Sequence, residues 1–259
     1  MFPKNLLKIA LILLALTSPA IAQNAAIEQQ KSLTKYLLFR KNIIENKNAA
    51  WSLLREIRDL GRVEKWSNVQ QRQELVETEQ TLKSLSQPVK SFSFYDKEDL
   101  ASDIAALDAT NKKITAARQD IKDRSDLHKK IKDQILLCKK NSKTAYNKTK
   151  QLLEIRKSIE SFYLSKYNSQ YPQAGVSVIT SHLQTAQLLA DIGKMDFAVI
   201  NLEKAEIAGF SKTSEDIYNP QTLLQNLKDI DERLVEITKQ SLEDIKNDSI
   251  TLTAVIALH

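Results

Sequence analysis

Glycine and proline are nearly missing, with four and five residues in a chain of 259, well under ordinary usage. Tight turns draw on both residues, glycine for positive φ and proline for a preset corner. Their scarcity excludes a turn-dense β architecture and leaves long helices as the fold the composition permits. Cysteine is down to one, Cys138, so an internal disulfide and a cysteine-built zinc site are both excluded. Aromatic residues make up 6% of the chain against 27% charged residues, which suits narrow helical seams better than one wide core.

Catalytic signatures are missing as well. No Gly-x-Ser-x-Gly, His-Glu-x-x-His, phosphate loop or dinucleotide fingerprint occurs. The three histidines, His128, His182 and His259, are scattered, with no second ligand at metal-binding spacing. Carboxylate pairs such as Glu77 with Glu79 and Asp231 with Glu232 have the look of solvated helix faces. The expectation is therefore no enzyme, no metal, no cofactor and no small-molecule substrate.

What is present begins at the N-terminus. Lys4 and Lys8 precede the apolar run Ile9–Leu16, and Ala20-Ile-Ala22 offers a small-residue cleavage site. That order is the pattern of a secretory signal peptide over residues 1–22, and the run falls short of the ~20 residues that span a bilayer. The expectation is an exported chain, periplasmic or extracellular, cut after Ala22. Losing Lys4 and Lys8 would reduce the formal charge from +6 to +4.

Apolar residues then recur at three- and four-residue steps from Leu33 through Leu60, thinning after Trp66 and ending before Pro88. Helix one is expected from Ala25 or Ala26, with Gly61 marking a bend. Val89–Tyr95 alternates like a strand and gathers three aromatics, Phe92, Phe94 and Tyr95. Asp96 then offers an N-cap with Glu98 and Asp99 in the first turn. Helix two should run from Lys97 to Asn168, with Leu100, Leu107, Ile114, Ile121, His128 and Ile135 at strict seven-residue intervals. Asn111, Arg118, Ser125 and Lys132 hold the positions four further on, too polar for a two-stranded coiled coil. Residues 23–170 are accordingly expected to form an elongated, antiparallel long-helix hairpin, coiled-coil-like but packed on itself.

Past Tyr171-Pro172 a second region, 171–259, is expected to be a smaller helical bundle. Gly175 with Val176–Ile179 predicts a turn and a short extended segment. Two short helices, 181–192 and 195–207, follow around Gly193-Lys194, and a final helix spans Gln221–Lys246. Ala186, Leu189, Gly193, Ala198, Leu202 and Ala205 resemble the small and apolar positions of a tetratricopeptide repeat over residues 180–211. His182 and Thr185 depart from that pattern, and no second copy occurs at a ~34-residue period. The resemblance implies one helical hairpin, not a peptide-binding array. Ser249–Leu258 is apolar and β-branched, expected as a docked last turn, a short strand or a sticky tail, with a packed tail the preferred reading.

Charge is uneven. Residues 112–166 hold sixteen Lys and Arg against six Asp and Glu, while 200–259 hold six against eleven. The basic stretch is expected to lie against the acidic one, within one molecule or between neighbours. Nucleic acid is excluded by export and by the lack of aromatics among the lysines. Cys138 follows Ile131 and Ile135 at seven and three residues, which predicts burial at a seam, with an intermolecular thiol bridge as the alternative. His128 on the same seam is a pH-sensitive seam residue or an ordinary satisfied or partly exposed histidine. Two functions remain. The first is a non-enzymatic protein–protein interaction or scaffold protein of an envelope or secretion assembly, with a protein partner or self-association. The second is a membrane-active or adhesive protein that uses Phe92, Phe94 and Tyr95 at a hairpin tip, unless those rings fold back to cap the seam.

Overall fold

Alternating long helices and short connections account for the whole of the described chain in this computed structural model. The structure describes the backbone of residues 4–64, 68–85, 87, 89–166, 172–208 and 219–257, and side chains from residue 23 onward within those ranges, apart from 68–75, 172–175 and 255. Five α-helices occur in them: α1 Lys4–Val63, α2 Asn68–Leu85, α3 Lys97–Lys166, α4 Pro172–Ala208 and α5 Pro220–Ala257, with a 3₁₀ turn at Phe92–Phe94. No strand occurs among the described residues. The fold is all-α, a long helix pair with a C-terminal helical bundle. Trp66, Pro88, Tyr171 and His259 lie outside the described residues, as do positions 209–211 of the repeat-like stretch.

The chain forms two compact units, one from residues 1–61 and 68–121, the other from 62–67 and 122–259. The division falls inside α3, far from the boundary near 170 that composition suggests, because α3 carries a buried stripe past it. Leu100, Leu107, Ile114, Ile121, His128, Ile135, Ser142 and Thr149 are all buried at seven-residue steps. The second stripe lies three residues on, not four, at Ile131, Cys138, Ala145 and Leu152. Asn111, Arg118, Ser125 and Lys132 face solvent.

In the first unit the apolar face of α1, including Phe39, Leu53, Ile57 and Leu60, packs with Leu82 and Leu85 of α2 and the α3 stripe as the buried core. The direction of pairing differs from the expected hairpin. Glu28 reaches Lys97, Tyr36 bonds the Lys90 carbonyl, Asn46 the Leu107 carbonyl, and Arg118 the Ala49 carbonyl. Residue numbers rise together, so α1 and α3 run the same way. The antiparallel hairpin joins α2 to α3, because the expected single helix over 25–85 ends at Val63 and resumes at Asn68. Glu64 is the residue where it ends, and its carboxylate is engaged by Arg124 and His128.

In the second unit α3, α4 and α5 repeat the up–down–up order. Cys138 meets Leu227, Asn141 meets Asp231 and Thr149 meets Ser241, rising together, while His128 meets Glu206 and Glu160 meets His182 in opposite sense. Three expectations fail here. Val176–Ile179 is helical, not extended, and no turn occurs at Gly193-Lys194, so the two short helices and the hairpin implied by the repeat resemblance are one helix, α4. The final helix runs on to Ala257 with Ile250 and Ile256 exposed, so the tail is helical and only partly packed. Leucine- and alanine-rich sequence has the propensity to carry a helix through a single glycine costing about 1 kcal/mol. α1 likewise begins at Lys4, before the expected start at Ala25.

Candidate functional site

Glu64, Arg124, His128 and Glu206 meet inside the second unit. His128 enters from α3 at its heptad position, Glu206 from the last turn of α4, and Glu64 from just beyond α1. All three are buried, Glu64 to 1% exposure. His128 Nδ1 lies 2.8 Å from Glu206 Oε1, and Nε2 lies 3.1 Å from Glu64 Oε1. Both neighbours are carboxylates, so both ring nitrogens donate and the ring is an imidazolium. Hydrogen bonding to Glu206, then to Glu64, raises its pKa to about 9 against the opposing effect of burial. Arg124 Nε donates to Glu64 Oε1 at 3.2 Å, and its Nη2 also meets that carboxylate. Among the described residues two cations meet two anions here, and buried charges are retained when they are paired and hydrogen-bonded in this way.

Such a ring holds its proton at neutral pH and has both N–H groups committed, so it cannot accept a proton as a general base. Its chemistry is that of a clasp: one imidazolium ties the chain after α1 to α3 and α4. Sequence reading placed His128 on the seam but missed both glutamates. A buried histidine within a heptad stripe is a signal that acids must come from other elements; which acids they are is set by the fold.

Further down α3 the same positions carry more polar contacts. Cys138 is fully buried among Ile131, Ile135, Val199, Leu223 and Leu227, and its thiol donates to the Leu227 carbonyl at 3.2 Å. Burial, with Asp231 nearby, pushes its pKa to about 11, so it is a thiol and not a thiolate at neutral pH. This corrects Cys138 as a candidate intermolecular thiol: apolar neighbours on three helices close off its sulfur. Thr149 and Ser241 hydroxyls pair at 2.9 Å in full burial. Arg156 then spans three helices. Its Nε meets Asp248 at 2.7 Å and Nη2 meets Asp244 at 3.0 Å, both on α5, while Nη1 donates to Thr185 Oγ1 at 2.7 Å and the Ser181 carbonyl at 3.1 Å on α4. With Lys139 on Glu203 at 2.7 Å, these contacts pair the basic stretch with the acidic one inside one chain. His182 is taken up by Glu160.

The aromatic connection lies in the first unit, as a 3₁₀ turn and not the strand its alternation suggested. Ser91 has extended backbone on entering it. Phe92 packs on Tyr36 with ring centroids 5.5 Å apart, and Tyr95 packs on Tyr36 at 5.8 Å and Phe39 at 6.3 Å. Tyr95 donates its hydroxyl to Asp103 at 2.8 Å, and burial with that carboxylate raises its pKa to about 12. Asp96 caps α3 as its sequence position implies, accepting from the Glu98 and Asp99 amides. Of the three tip candidates two are folded onto α1, and Phe94 alone stands out, 75% exposed.

An open groove of about 700 Å³ in the first unit is lined by Leu53, Thr78, Thr81, Ile114 and Ala117, with Glu77 and Lys113 also on it. It gathers no imidazole or thiol. Among the described residues no group of His, Cys, Asp and Glu is arranged to hold a metal ion, and no helix is long and apolar enough to cross a membrane. No family model matches the chain, no curated protein matches it, and no solved structure matches it.

Proposed function

We propose that the chain is an exported, non-enzymatic protein that binds other proteins through the outer faces of its helices, as a scaffold of an envelope or secretion assembly. One observation carries this reading. α1 is apolar on two sides, centred roughly 130° apart at 100° per residue: one side forms the core of the first unit, and the other carries Leu33, Leu37, Ile44 and Trp51 in the open, Ile44 at 62% exposure. At 100° per residue these four fall within about 40° of one another. Single exposed apolar residues are ordinary, but an aligned row of four large ones on one helix is a surface for a partner helix. The ionisable groups inside the second unit support the same reading, since they are paired to one another and hold helices together. Export rests on residues 1–22, whose helical backbone from Lys4 suits a signal peptide.

A photo-crosslinking residue at 44 should give a discrete adduct in living cells, whereas one at 42 or 45, exposed but about 160° and 100° round the helix from 44, should not. Adducts at none of the three, or equally at all, would refute it. N-terminal sequencing of the chain from the exported fraction should begin at Gln23. The tip-insertion alternative keeps only Phe94, because Phe92 and Tyr95 are packed.

A further inference from the structure

α4 repeats the pattern on its own outer face, and here the spacing identifies the partner. Its inner face, Thr185, Ile192, Val199 and Glu206, is buried in the second unit. On the opposite side two rows run at seven-residue steps: Val176, Leu183, Ala190, Phe197 and Lys204, and, three residues on, Ile179, Ala186, Gly193, Ile200 and Ile207. All ten are exposed, Phe197 at 64%. Those are the a and d positions of a coiled coil, covered by no helix among the described residues. From 176 to 207 they extend about 47 Å at 1.5 Å per residue.

We infer that a second copy of this chain packs on the outer face of α4, antiparallel, about a two-fold axis between Ala190 and Gly193. A two-fold interface must be self-complementary, and in an antiparallel coil each a position meets a partner d position. Centred there, every pair fits by size. Phe197 falls opposite Ala186, Leu183 opposite Ile200, Val176 opposite Ile207, and Ala190 opposite Gly193. The largest side chain meets one of the smallest, and a Cβ placed on Gly193 would touch nothing within 4 Å of its own chain, leaving room for a close crossing. Lys204 meets Ile179 near the end of the seam, where its stem can cover the isoleucine and its ammonium stay in water.

The parallel alternative sets Lys204 on Lys204, Phe197 on Phe197 and Ala186 on Ala186, combining repulsion, a clash and a void. Flanking positions agree with the antiparallel register: Gln187 falls by Lys194 and Leu189 by Asp196, with no like charges opposed. The seam and its flanks amount to roughly twenty residues a side, the lower end of what a specific interface uses. This inference shares with the proposed function the premise that exposed apolar helix faces are docking faces, but it concerns a different helix and a defined partner.

Sedimentation equilibrium of the exported chain should give the mass of two copies at micromolar concentration, and Leu183→Glu with Phe197→Glu should weaken association at least hundredfold with the helical circular dichroism unchanged. Register is read separately. A Val176→Cys chain mixed with an Ile207→Cys chain should oxidise to a covalent heterodimer, and Val176→Cys alone should not, since its two copies would sit about 47 Å apart. A monomer at all concentrations, a dimer indifferent to the two glutamates, or crosslinking of Val176→Cys to itself would each overturn the inference. If the chain is monomeric while adducts at position 44 persist, the self-association fails and the scaffold reading stands; a dimer without those adducts means the reverse.

Discussion

His128 couples the core of the second unit to pH. Its folded pKa of about 9 stands above the usual 6.5, so the clasp's contribution is present in full below pH 6.5 and is lost as pH rises through 9. At 1.36 kcal/mol per unit the loss approaches about 3 kcal/mol. Urea midpoints of the native chain should fall between pH 6.5 and 9.5, and those of His128→Gln should not follow; parallel curves would mean that the proton is held elsewhere. The same buried region shields Cys138. Its sulfur should react with an aromatic disulfide reagent no faster than the protein unfolds, and no disulfide dimer should form without reductant. At this scale the sequence was readable where a position answers to its own stripe: Cys138 is buried as its spacing from Ile131 and Ile135 implies, and His128 lies on the seam where its seven-residue row puts it. It was unreadable where a side chain answers to another helix, as Glu64 and Glu206 do, because nothing near either residue marks it as buried.

Elements obey a similar division. Asp96 and the seven-residue row of α3 were legible because capping and periodicity are local. Continuity of α4 was not, since Gly175, Gly193 and a β-branched run all read as interruptions, while burial of Ile192 and Val199 on either side of Gly193 outweighs them. Gly193 is helical, exposed and has open space where a side chain would be. Gly193→Ala should therefore stabilise the chain by about 1 kcal/mol, measured by urea unfolding at concentrations where it is monomeric. A turn there would make the substitution neutral or harmful, so that sign tests the continuous helix directly. Arg156 tests how the three helices are pinned. Arg156→Ala leaves Asp244 and Asp248, both part-exposed, without their shared cation and should cost about 1.5–3 kcal/mol. Arg156→Lys should recover only part of it, because one ammonium cannot reproduce a fork aimed at two helices.

For the molecule as a whole, the question is what its surface can hold onto. Of the sixteen cations in the basic stretch, Lys139 and Arg156 are paired with the acidic one, on Glu203 and on Asp244 and Asp248, and beside that charged exterior stand the apolar rows of α1 and α4. Insertion through the tip would have to rely on Phe94, the one tip ring left in the open. Burying one phenylalanine is worth about 1.5–3 kcal/mol, whereas micromolar binding needs about 8. A partner that meets a row of four or more apolar side chains can reach that figure; a bilayer that meets the tip ring alone cannot. The chain from residue 23 onward should thus stay at the bottom of a flotation gradient with zwitterionic liposomes, and Phe94→Ser should change nothing. Any capture by anionic liposomes should vanish between 0.05 and 0.5 M salt, on the order of the range over which screening shortens from above 10 Å to below 5 Å. Flotation on neutral lipid that Phe94→Ser abolishes would put the tip, and not the helix faces, at the centre of what this protein does.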